Sequence, residues 1–286
     1  MQFTKMQGCG NDYIYVNCFT ETVPDPSRAA IRLSDRHFGI GGDGLVLICP
    51  SEVADFCMEM YNADGSRSEM CGNAIRCVGK YLYDNGIVPR ADLTIEAGGQ
   101  VHRLHLYTRF GAVGLVTVEM GKPAFAPEAV PVALEGERVI DRPVTIAGGE
   151  YRITCLSMGN PHCVVFVDRV DEVDVAHLGP QFEHADLFPA RTNTEFIRVV
   201  NRTTIKMRVW ERGSGVTLAC GTGATAAAII TNYALQHGTT KYRIQVPGGE
   251  LIVGFTHEAG TQNYTNIRLT GPARRVFSGV FETDNF

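Results

Sequence analysis

The chain has 286 residues, 44% of them hydrophobic and 20% charged, and this ordinary globular composition excludes disorder, collagen and coiled coil. A formal net charge of −5 gives no basic surface for nucleic acid or an anionic membrane, so neither partner is expected. Because no apolar run has the length of a signal peptide or a transmembrane helix, we expect a cytoplasmic protein. The length favours two domains over one core.

Four features stand out when the chain is taken in order. A proline-rich turn at residues 24–27 predicts a peripheral helix that runs to about His37. The segment after Cys71 is helix-like and stops at Asn85 and Gly86. Short apolar runs separated by Gly, Pro and Asn, such as residues 113–118, predict strands. The segment after Cys220 is apolar nearly all round through Ile230, which predicts an enclosed helix that ends at Gly238.

The chain contains nine cysteines, and an odd number without an export signal favours thiols over a disulfide framework. No pair has the spacing of a zinc knuckle or a thioredoxin-like motif, so no bound metal is expected. Cys77 is interpreted as a packing residue of the first helix. Five others lie in apolar, strand-like runs and are interpreted as small buried side chains: Cys18, Cys49, Cys57, Cys155 and Cys163.

The sequence repeats itself at an offset of 149 residues. Cys220 follows Cys71 at this offset, and Gly-Asn pairs at 10–11 and 159–160 match in the same way. We infer an old tandem duplication and an α+β fold of two pseudo-symmetric domains, each a mostly antiparallel sheet wrapped around a central helix. The expected domains are residues 1–120, to which 272–286 return as an extra strand, and residues 121–271.

Two thiols at the starts of equivalent helices suggest a specific chemistry. A pseudo-twofold axis would bring Cys71 and Cys220 to one cleft, and the helix dipole is expected to lower the pKa of each thiol. The backbone amides that follow each cysteine, at Gly72, Asn73, Gly221 and Thr222, could hold a carboxylate. Two acid/base groups on opposite faces of one carbon are what a racemase or epimerase needs, and no sequence signal for pyridoxal phosphate is present.

Six motifs together resemble the diaminopimelate epimerase family over essentially the whole chain. They are Gly10-Asn11-Asp12, Asn62-Ala63-Asp64-Gly65-Ser66, Met70-Cys71-Gly72-Asn73-Ala74-Ile75-Arg76, Met158-Gly159-Asn160-Pro161-His162-Cys163, Glu211-Arg212-Gly213 and Ala219-Cys220-Gly221-Thr222-Gly223. The resemblance implies the epimerase-like fold and conversion of LL-diaminopimelate to the meso isomer without cofactor or metal, in lysine and peptidoglycan precursor biosynthesis. It also implies a small-molecule substrate as the partner and favours a homodimer.

The resemblance also assigns roles to individual residues. It implies that Cys71 and Cys220 are the acid/base thiols, with Cys220 accepting the proton in the LL-to-meso direction. His162 and Glu211 match positions that assist the reaction, and Glu211 also belongs to the substrate-binding set. The remaining substrate-binding matches are Asn11, Asn62, Asn160, Asn193 and Arg212, among which Arg212 matches the arginine of the distal carboxylate. The amides at Gly72, Asn73, Gly221 and Thr222, argued above from the helix starts, complete the predicted substrate-binding set. Some family members carry Gln where this chain has Gly44, so that contact is expected to be absent or replaced.

Two alternatives stay open at this point. A related cofactor-free amino-acid racemase of the proline-racemase kind shares the Cys-Gly-Thr-Gly element, and the need for Arg212 would separate the two activities. Nine thiols and eight histidines also suit a zinc-binding or redox-sensing module, although the cysteine spacing disfavours metal. Taken singly, Asn11, Asn62 and Asn160 also suit ordinary turns.

Overall fold

The structure is a computed structural model that describes residues 1–68, 70–236, 238–258 and 260–282. The helices are α1 Pro26–Ser34, α2 Gly72–Asp84, α3 Val175–Glu183 and α4 Gly221–Leu235. The strands of the first part of the chain are β1 Gln2–Gly8, β2 Asn11–Asn17, β3 Gly44–Cys49, β4 Phe56–Asn62, β5 Arg67–Ser68, β6 Asp92–Ala97, β7 Gln100–Arg109 and β8 Ala112–Glu119. Those that follow are β9 Arg142–Ile146, β10 Gly149–Ser157, β11 Pro161–Phe166, β12 Asn193–Asn201, β13 Thr204–Glu211, β14 Gly215–Thr217, β15 Lys241–Val246, β16 Gly249–His257, β17 Tyr264–Pro272 and β18 Arg274–Val280.

The chain divides into two compact units, Met1–Glu119 with Thr270–Phe286, and Met120–Leu269. Of the returning segment, residues 283–286 lie outside the described residues. The last strand, β18, runs antiparallel to β1, with Gln2 opposite Val280. The C-terminal strand therefore belongs to the same sheet as the first residues of the chain.

The first unit is a mostly antiparallel sheet around α2. From β1 the sheet continues through β2, β3, β4 and β6 to β7 and β8, and only the β2–β3 and β4–β6 pairs are parallel among those of this run. Helix α2 packs against β1, β2, β7, β8 and β18, so most of its side chains through Leu82 are buried. The central helix thus supplies the core that the curled sheet encloses.

The second unit repeats this arrangement. Strands β9 to β13 follow one another in the sheet, β13 pairs with β15 and β15 with β16, and the parallel pairs are again β11–β12 and β13–β15. Helix α4 packs against β10 to β13, β15 and β16. Its first three turns are almost entirely buried because small residues and two isoleucines cover every face. The order and direction of strands in the two units are therefore the same.

The starts of α1, α2 and α4 and the end of α2 agree with the sequence signals. The predicted run of α1 to about His37 is wrong, because the helix stops at Ser34 and the Asp35 carboxylate accepts from the N–H groups of His37 and Phe38 in a turn. Asp25 caps α1 by accepting from Arg28 N at 3.0 Å, and α2 ends at the Asn85 cap before Gly86, whose φ is +71°. The predicted end of α4 at Gly238 is wrong, because the helix stops at Leu235. Gln236 there takes the left-handed conformation, with φ of 48°, and its N–H bonds Asn232 O.

The nine cysteines, all within the described part of the chain, are present as thiols rather than disulfides. Burial was expected for five of them and is confirmed for Cys155 and Cys163, as is the packing role of fully buried Cys77. It is wrong for Cys18, Cys49 and Cys57, which are only half-buried because they lie near the ends of their strands. Among the described helices, none combines the length and apolar character that crossing a membrane requires.

Candidate active site

In the first unit, strand pairing places three positions singled out in the sequence at the same end of three neighbouring strands. Strand β2 begins at Asn11, its parallel neighbour β3 begins at Gly44, and the antiparallel β4 ends at Asn62. Gly44 pairs with Asn62 directly, and Tyr13 pairs with Gly44. Asn62 Nδ2 donates to Ser66 Oγ at 3.0 Å, which fixes the amide within its own turn.

Cys71 lies at the start of α2 and contacts Asn11 at these strand ends. It is the N-cap residue, with extended backbone angles, and its Sγ donates to Asn11 Oδ1 at 3.3 Å. Asn73 Nδ2 donates to the same oxygen at 3.3 Å, while Asn11 Nδ2 donates to Asp43 Oδ2 at 2.7 Å. The structure therefore brings Cys71, Asn11 and Asn73 together, with Asp43 orienting the asparagine.

A buried arginine supports the first turn of α2. The guanidinium of Arg76, which is fully buried, donates to Gly72 O at 2.9 Å and to Asn73 Oδ1 at 2.7 Å. Its Nε donates to Pro272 O at 3.3 Å. These bonds order the two residues whose backbone amides follow Cys71.

At Gly44 the structure leaves no space for a side chain. A Cβ at this position would lie 2.1 Å from Tyr61 O and 3.0 Å from Tyr13 Cε1. The first of these atoms belongs to the backbone of the paired strand, so the space for a side chain is closed. The first residue of β3 therefore presents backbone atoms, and not an amide side chain, beside Asn62.

In the second unit the corresponding strand ends carry the second set of predicted residues. Asn160 precedes β11, Asn193 begins the parallel β12, and Glu211 ends the antiparallel β13. His162 pairs with Asn193 across the parallel strands. Asn193 Nδ2 donates to Pro161 O at 2.7 Å, and its Oδ1 accepts from Arg212 N at 2.9 Å.

Cys220 is the N-cap residue of α4 and is almost fully buried. Its Sγ accepts from Gly223 N at 3.3 Å and lies 3.4 Å from Thr222 Oγ1. Burial, followed by the charges of Glu211 and Glu195, raises the pKa of the Cys220 thiol well above its usual value, while the bonds to Thr222 and Gly223 lower it less. The predicted fall in this pKa is therefore wrong, because desolvation outweighs the helix terminus.

Glu211 lies beside this thiol and interacts with it electrostatically. Its Oε1 accepts a short hydrogen bond from Thr217 Oγ1. Burial raises the pKa of the Glu211 carboxyl, and hydrogen bonds with Thr217 and Cys220 offset part of that rise. A negative charge on the Glu211 carboxylate therefore disfavours ionisation of the Cys220 thiol.

His162 is fully buried between two acceptor groups. Its Nδ1 lies 2.7 Å from Glu195 Oε1 and its Nε2 lies 3.0 Å from Asn160 Oδ1. Asn160 Nδ2 donates in turn to Thr222 Oγ1 at 3.2 Å, and Thr222 contacts Cys220. A hydrogen-bonded chain therefore runs from Glu195 to the candidate catalytic thiol.

Arg212 is exposed, and its backbone is held from two sides. Besides the bond from Arg212 N to Asn193, Gly213 N donates to Glu183 Oε1 at 3.1 Å. Glu183 is itself buried and accepts from Trp210 Nε1 at 2.6 Å. The exposed guanidinium donates to Ala190 O at 3.2 Å.

Sequence reasoning missed two carboxylates of this unit, Glu195 and Glu183. The available signal was a charged residue inside an apolar strand or helix, which is rarely buried without a partner. Among the described residues, no group of three or more His, Cys, Asp and Glu side chains is placed to hold a metal ion.

Solved structures define the class of fold. A probable proline racemase from Agrobacterium radiobacter K84 has a TM-score of 0.71 at 17% identity and covers 100% of this chain and 94% of its own. A PhzF-family phenazine biosynthesis protein from Bacillus anthracis has a TM-score of 0.70 at 16% identity, with 98% of both chains covered. The duplicated fold with a central helix in each unit is thus the epimerase-like fold, and the predicted fold class is confirmed.

Sequence comparison then gives the family. A family model described as diaminopimelate epimerase matches residues 3–126 and 154–276, and the chain belongs to that family. The diaminopimelate epimerase of Acetivibrio thermocellus is 50% identical over 281 residues, which are 98% of each chain. That of Agathobacter rectalis is 48% identical with 99% of each covered, and that of Methanococcus maripaludis strain C5 is 46% identical with 99% and 100% covered. The predicted family and the predicted class of enzyme, an isomerase, are confirmed.

Proposed function

We propose that this chain interconverts LL- and meso-2,6-diaminopimelate, with Cys71 and Cys220 as its two acid/base groups. The observation that carries the proposal is the 50% identity to a diaminopimelate epimerase over 98% of both chains. The proposed two-thiol mechanism is supported by the position of both cysteines at the N-caps of the two central helices.

The mechanism needs no net change in protons. In the LL-to-meso direction the Cys220 thiolate removes the α-proton, leaving a carbanion, and the Cys71 thiol delivers a proton to the opposite face. Cys220 is then a thiol and Cys71 a thiolate, so the reverse reaction starts from the state that the forward reaction leaves. Hydrogen-bond donors aimed at the developing charge supply much of the stabilisation.

We propose that the substrate is bound by the groups at the strand ends and helix starts described above for each unit. The amides after each cysteine, at Gly72 and Asn73 and at Gly221 and Thr222, suit the carboxylate at the reacting carbon. The asparagines 11, 62, 160 and 193 offer both donors and acceptors to the amino and carboxylate groups. Arg212, whose guanidinium is exposed, suits the distal carboxylate through two parallel hydrogen bonds.

Glu211 and His162 are proposed to assist at the reacting centre. Without substrate, the raised pKa keeps Cys220 as a thiol beside the negative Glu211. The α-ammonium group of a bound substrate would offset the Glu211 charge, and the pKa of Cys220 would then fall toward the value a base needs. Substrate binding would in this way create its own catalytic base.

The proposal includes no cofactor and no metal, a cytoplasmic location, a homodimer, and a place in the synthesis of lysine and peptidoglycan precursors. These parts rest on the resemblance of the six motifs to the family. The two compact units are proposed to be the two epimerase domains.

The first test is proton NMR of reduced protein with LL-diaminopimelate in deuterated water, after treatment to remove metals and pyridoxal phosphate. We expect the α-proton signal to disappear as the meso isomer forms. Cys71→Ala and Cys220→Ala should each slow this conversion by about 10²–10⁴-fold, the usual range for loss of one acid/base group. Exchange with proline and none with diaminopimelate would instead assign a sister racemase activity.

A further inference from the structure

Three cysteines outside the candidate active site lie side by side, on β3, on β4 and directly after the end of β2. Cys49 on β3 is directly opposite Cys57 on β4. Cys18 continues the parallel β2–β3 register, because Asn17 pairs with Ile48 and Cys18 N donates to Ile48 O at 2.9 Å. Directly paired residues project from the same face of a sheet, so the three thiols form one row, called here the thiol row.

The three thiols of the row are accessible and differ in how readily they ionise. All three side chains are half-buried, unlike the enclosed Cys155 and Cys163. Interaction with the Cys49 thiol lowers the pKa of Cys18. The same interaction raises the pKa of Cys49, and burial with the charges of Glu96 and Glu59 raises the pKa of Cys57. Cys18 is thus the thiol of the row that ionises most readily.

We propose that Cys18 and Cys49 form a thiol–disulfide exchange site for small disulfides, in which Cys18 attacks and Cys49 resolves. The Cys18 thiolate attacks one sulfur of a disulfide RSSR, which forms Cys18–SR and releases RS⁻. Cys49 then loses its proton and attacks the Cys18 sulfur, which releases the second RS⁻. Two protein thiols are oxidised to a disulfide, and one RSSR is reduced to two thiols. Neighbouring strands hold the two Cα atoms at a spacing that a disulfide spans.

The test is mass-spectrometric mapping of the full chain after exposure to oxidised glutathione, with Cys71 and Cys220 replaced by Ala to remove the catalytic thiols. We expect a Cys18–Cys49 disulfide, and in Cys49→Ser a trapped glutathione adduct on Cys18. The adduct should form about tenfold faster than any on Cys57, since thiolate fraction sets the rate. Cys57→Ser is the matched control and should form the bridge at the unmodified rate.

Two results would overturn this assignment. One is preferential modification of Cys57 in the protein that retains all three thiols of the row. The other is a Cys49→Ser variant whose Cys18 reacts no faster than Cys57. The same mass-spectrometric mapping of protein that retains Cys18, Cys49 and Cys57 detects the Cys18–Cys49 disulfide directly. The outcome therefore does not depend on whether a variant within the thiol row folds.

A second inference deepens the proposed function and rests on it. Glu195 is fully buried, and its Oε2 has no hydrogen-bond partner in the described part of the chain. Its Oε1 faces His162 Nδ1, while His162 Nε2 faces the amide oxygen of Asn160. The buried carboxylate and the Asn160 amide thus hold the His162 ring between them, one at each nitrogen.

We infer that Glu195 is a positioning residue that fixes the orientation of His162 beside the candidate site. The ring in turn holds the Asn160 carbonyl, which leaves the Asn160 amide group directed at Thr222 and, through it, at Cys220. The Glu195 charge also acts on Cys220 through space and favours the thiol form. The Glu195 carboxylate therefore acts both on the Asn160 side chain and on Cys220, the proposed catalytic base.

The test is Glu195→Gln, which keeps the side-chain volume and removes the charge. We expect kcat for the epimerisation to fall about tenfold with little change in KM. Alkylation of Cys220 by iodoacetamide, followed on its peptide as a function of pH, should shift to lower pH. The alkylation readout needs no substrate, so it fails or succeeds independently of the proposed activity.

A double-mutant comparison with His162→Gln separates positioning from general stability. If Glu195 acts through His162, the effects of the two substitutions on kcat should be far from additive. An unchanged pH profile for Cys220 together with additive effects would assign Glu195 a structural role only.

Discussion

At the scale of single residues, two electrostatic effects oppose each other at Cys220. The first turn of α4 favours the thiolate through the N–H of Gly223, whereas burial and two carboxylates favour the thiol. Desolvation of a small anion outweighs a single backbone donor, so the resting group is the thiol. The helix start therefore places this sulfur but does not by itself activate it.

The raised pKa of Cys220 predicts the pH dependence of its reactivity. In Cys71→Ala protein without substrate, alkylation of Cys220 should have its midpoint above pH 9, because the thiolate forms only above the raised pKa. Glu211→Gln should lower that midpoint, because one of the two repelling charges is removed. The measurement is peptide mass spectrometry after timed alkylation, and a midpoint below pH 8 would contradict the prediction.

Gly44 gives a prediction about stability. Gly44→Gln should destabilise the chain by about 1–3 kcal/mol because the new Cβ meets the backbone of Tyr61. Gly114→Gln is the matched control, since a Cβ there has nothing within 4 Å and the residue lies on an exposed strand position. Denaturant unfolding of both variants measures the difference, and equal midpoints would show that β3 shifts without cost.

At the scale of elements, much of the architecture was accessible from the sequence. The repeat of Cys-Gly and Gly-Asn signatures indicated that two helices have equivalent places, and glycine caps fixed the end of α2. The end of α4 was missed because Gln236 adopts the left-handed conformation that is normally left to glycine. The half-burial of Cys18 and the Glu195–His162 pair were missed because both depend on strand register between distant segments.

The start of α4 depends on a glycine for steric reasons. A Cβ on Gly223 would lie 2.4 Å from Glu195 Oε1, so Gly223→Ala should displace the carboxylate from His162. We expect a loss of about 1–3 kcal/mol in unfolding free energy and a lower kcat. Adding Glu195→Ala removes the atom that is struck, so the double variant should be less destabilised than the sum of the single changes. Thermal and denaturant unfolding test this coupling, and simple additivity would contradict it.

At the scale of the whole molecule, the two units differ in how the chain builds them. The second unit is made from one continuous stretch, Met120–Leu269, whereas the first needs residues from both ends of the chain. Its edge strand β18 covers β1 along most of its length. Removal of residues 273–286 should therefore expose one side of β1.

This truncation gives a prediction that separates the units. Hydrogen exchange should become faster in β1 of the truncated chain, because its amides lose their partners on β18. The amides of α4 and β12, which lie in the continuous unit, should keep their protection. Equal loss of protection in both units would mean that they unfold as one.

The pairing of β1 with β18 also has a consequence for synthesis on the ribosome. Strand β1 is synthesised long before β18, and at roughly 5–20 residues per second that delay is tens of seconds. Until β18 has emerged, β1 presents on one side an open row of backbone donors and acceptors, which is the kind of edge that other nascent chains join. Emergence of β18 is therefore the event that covers this side of β1, and chains released before it are the ones most exposed to aggregation.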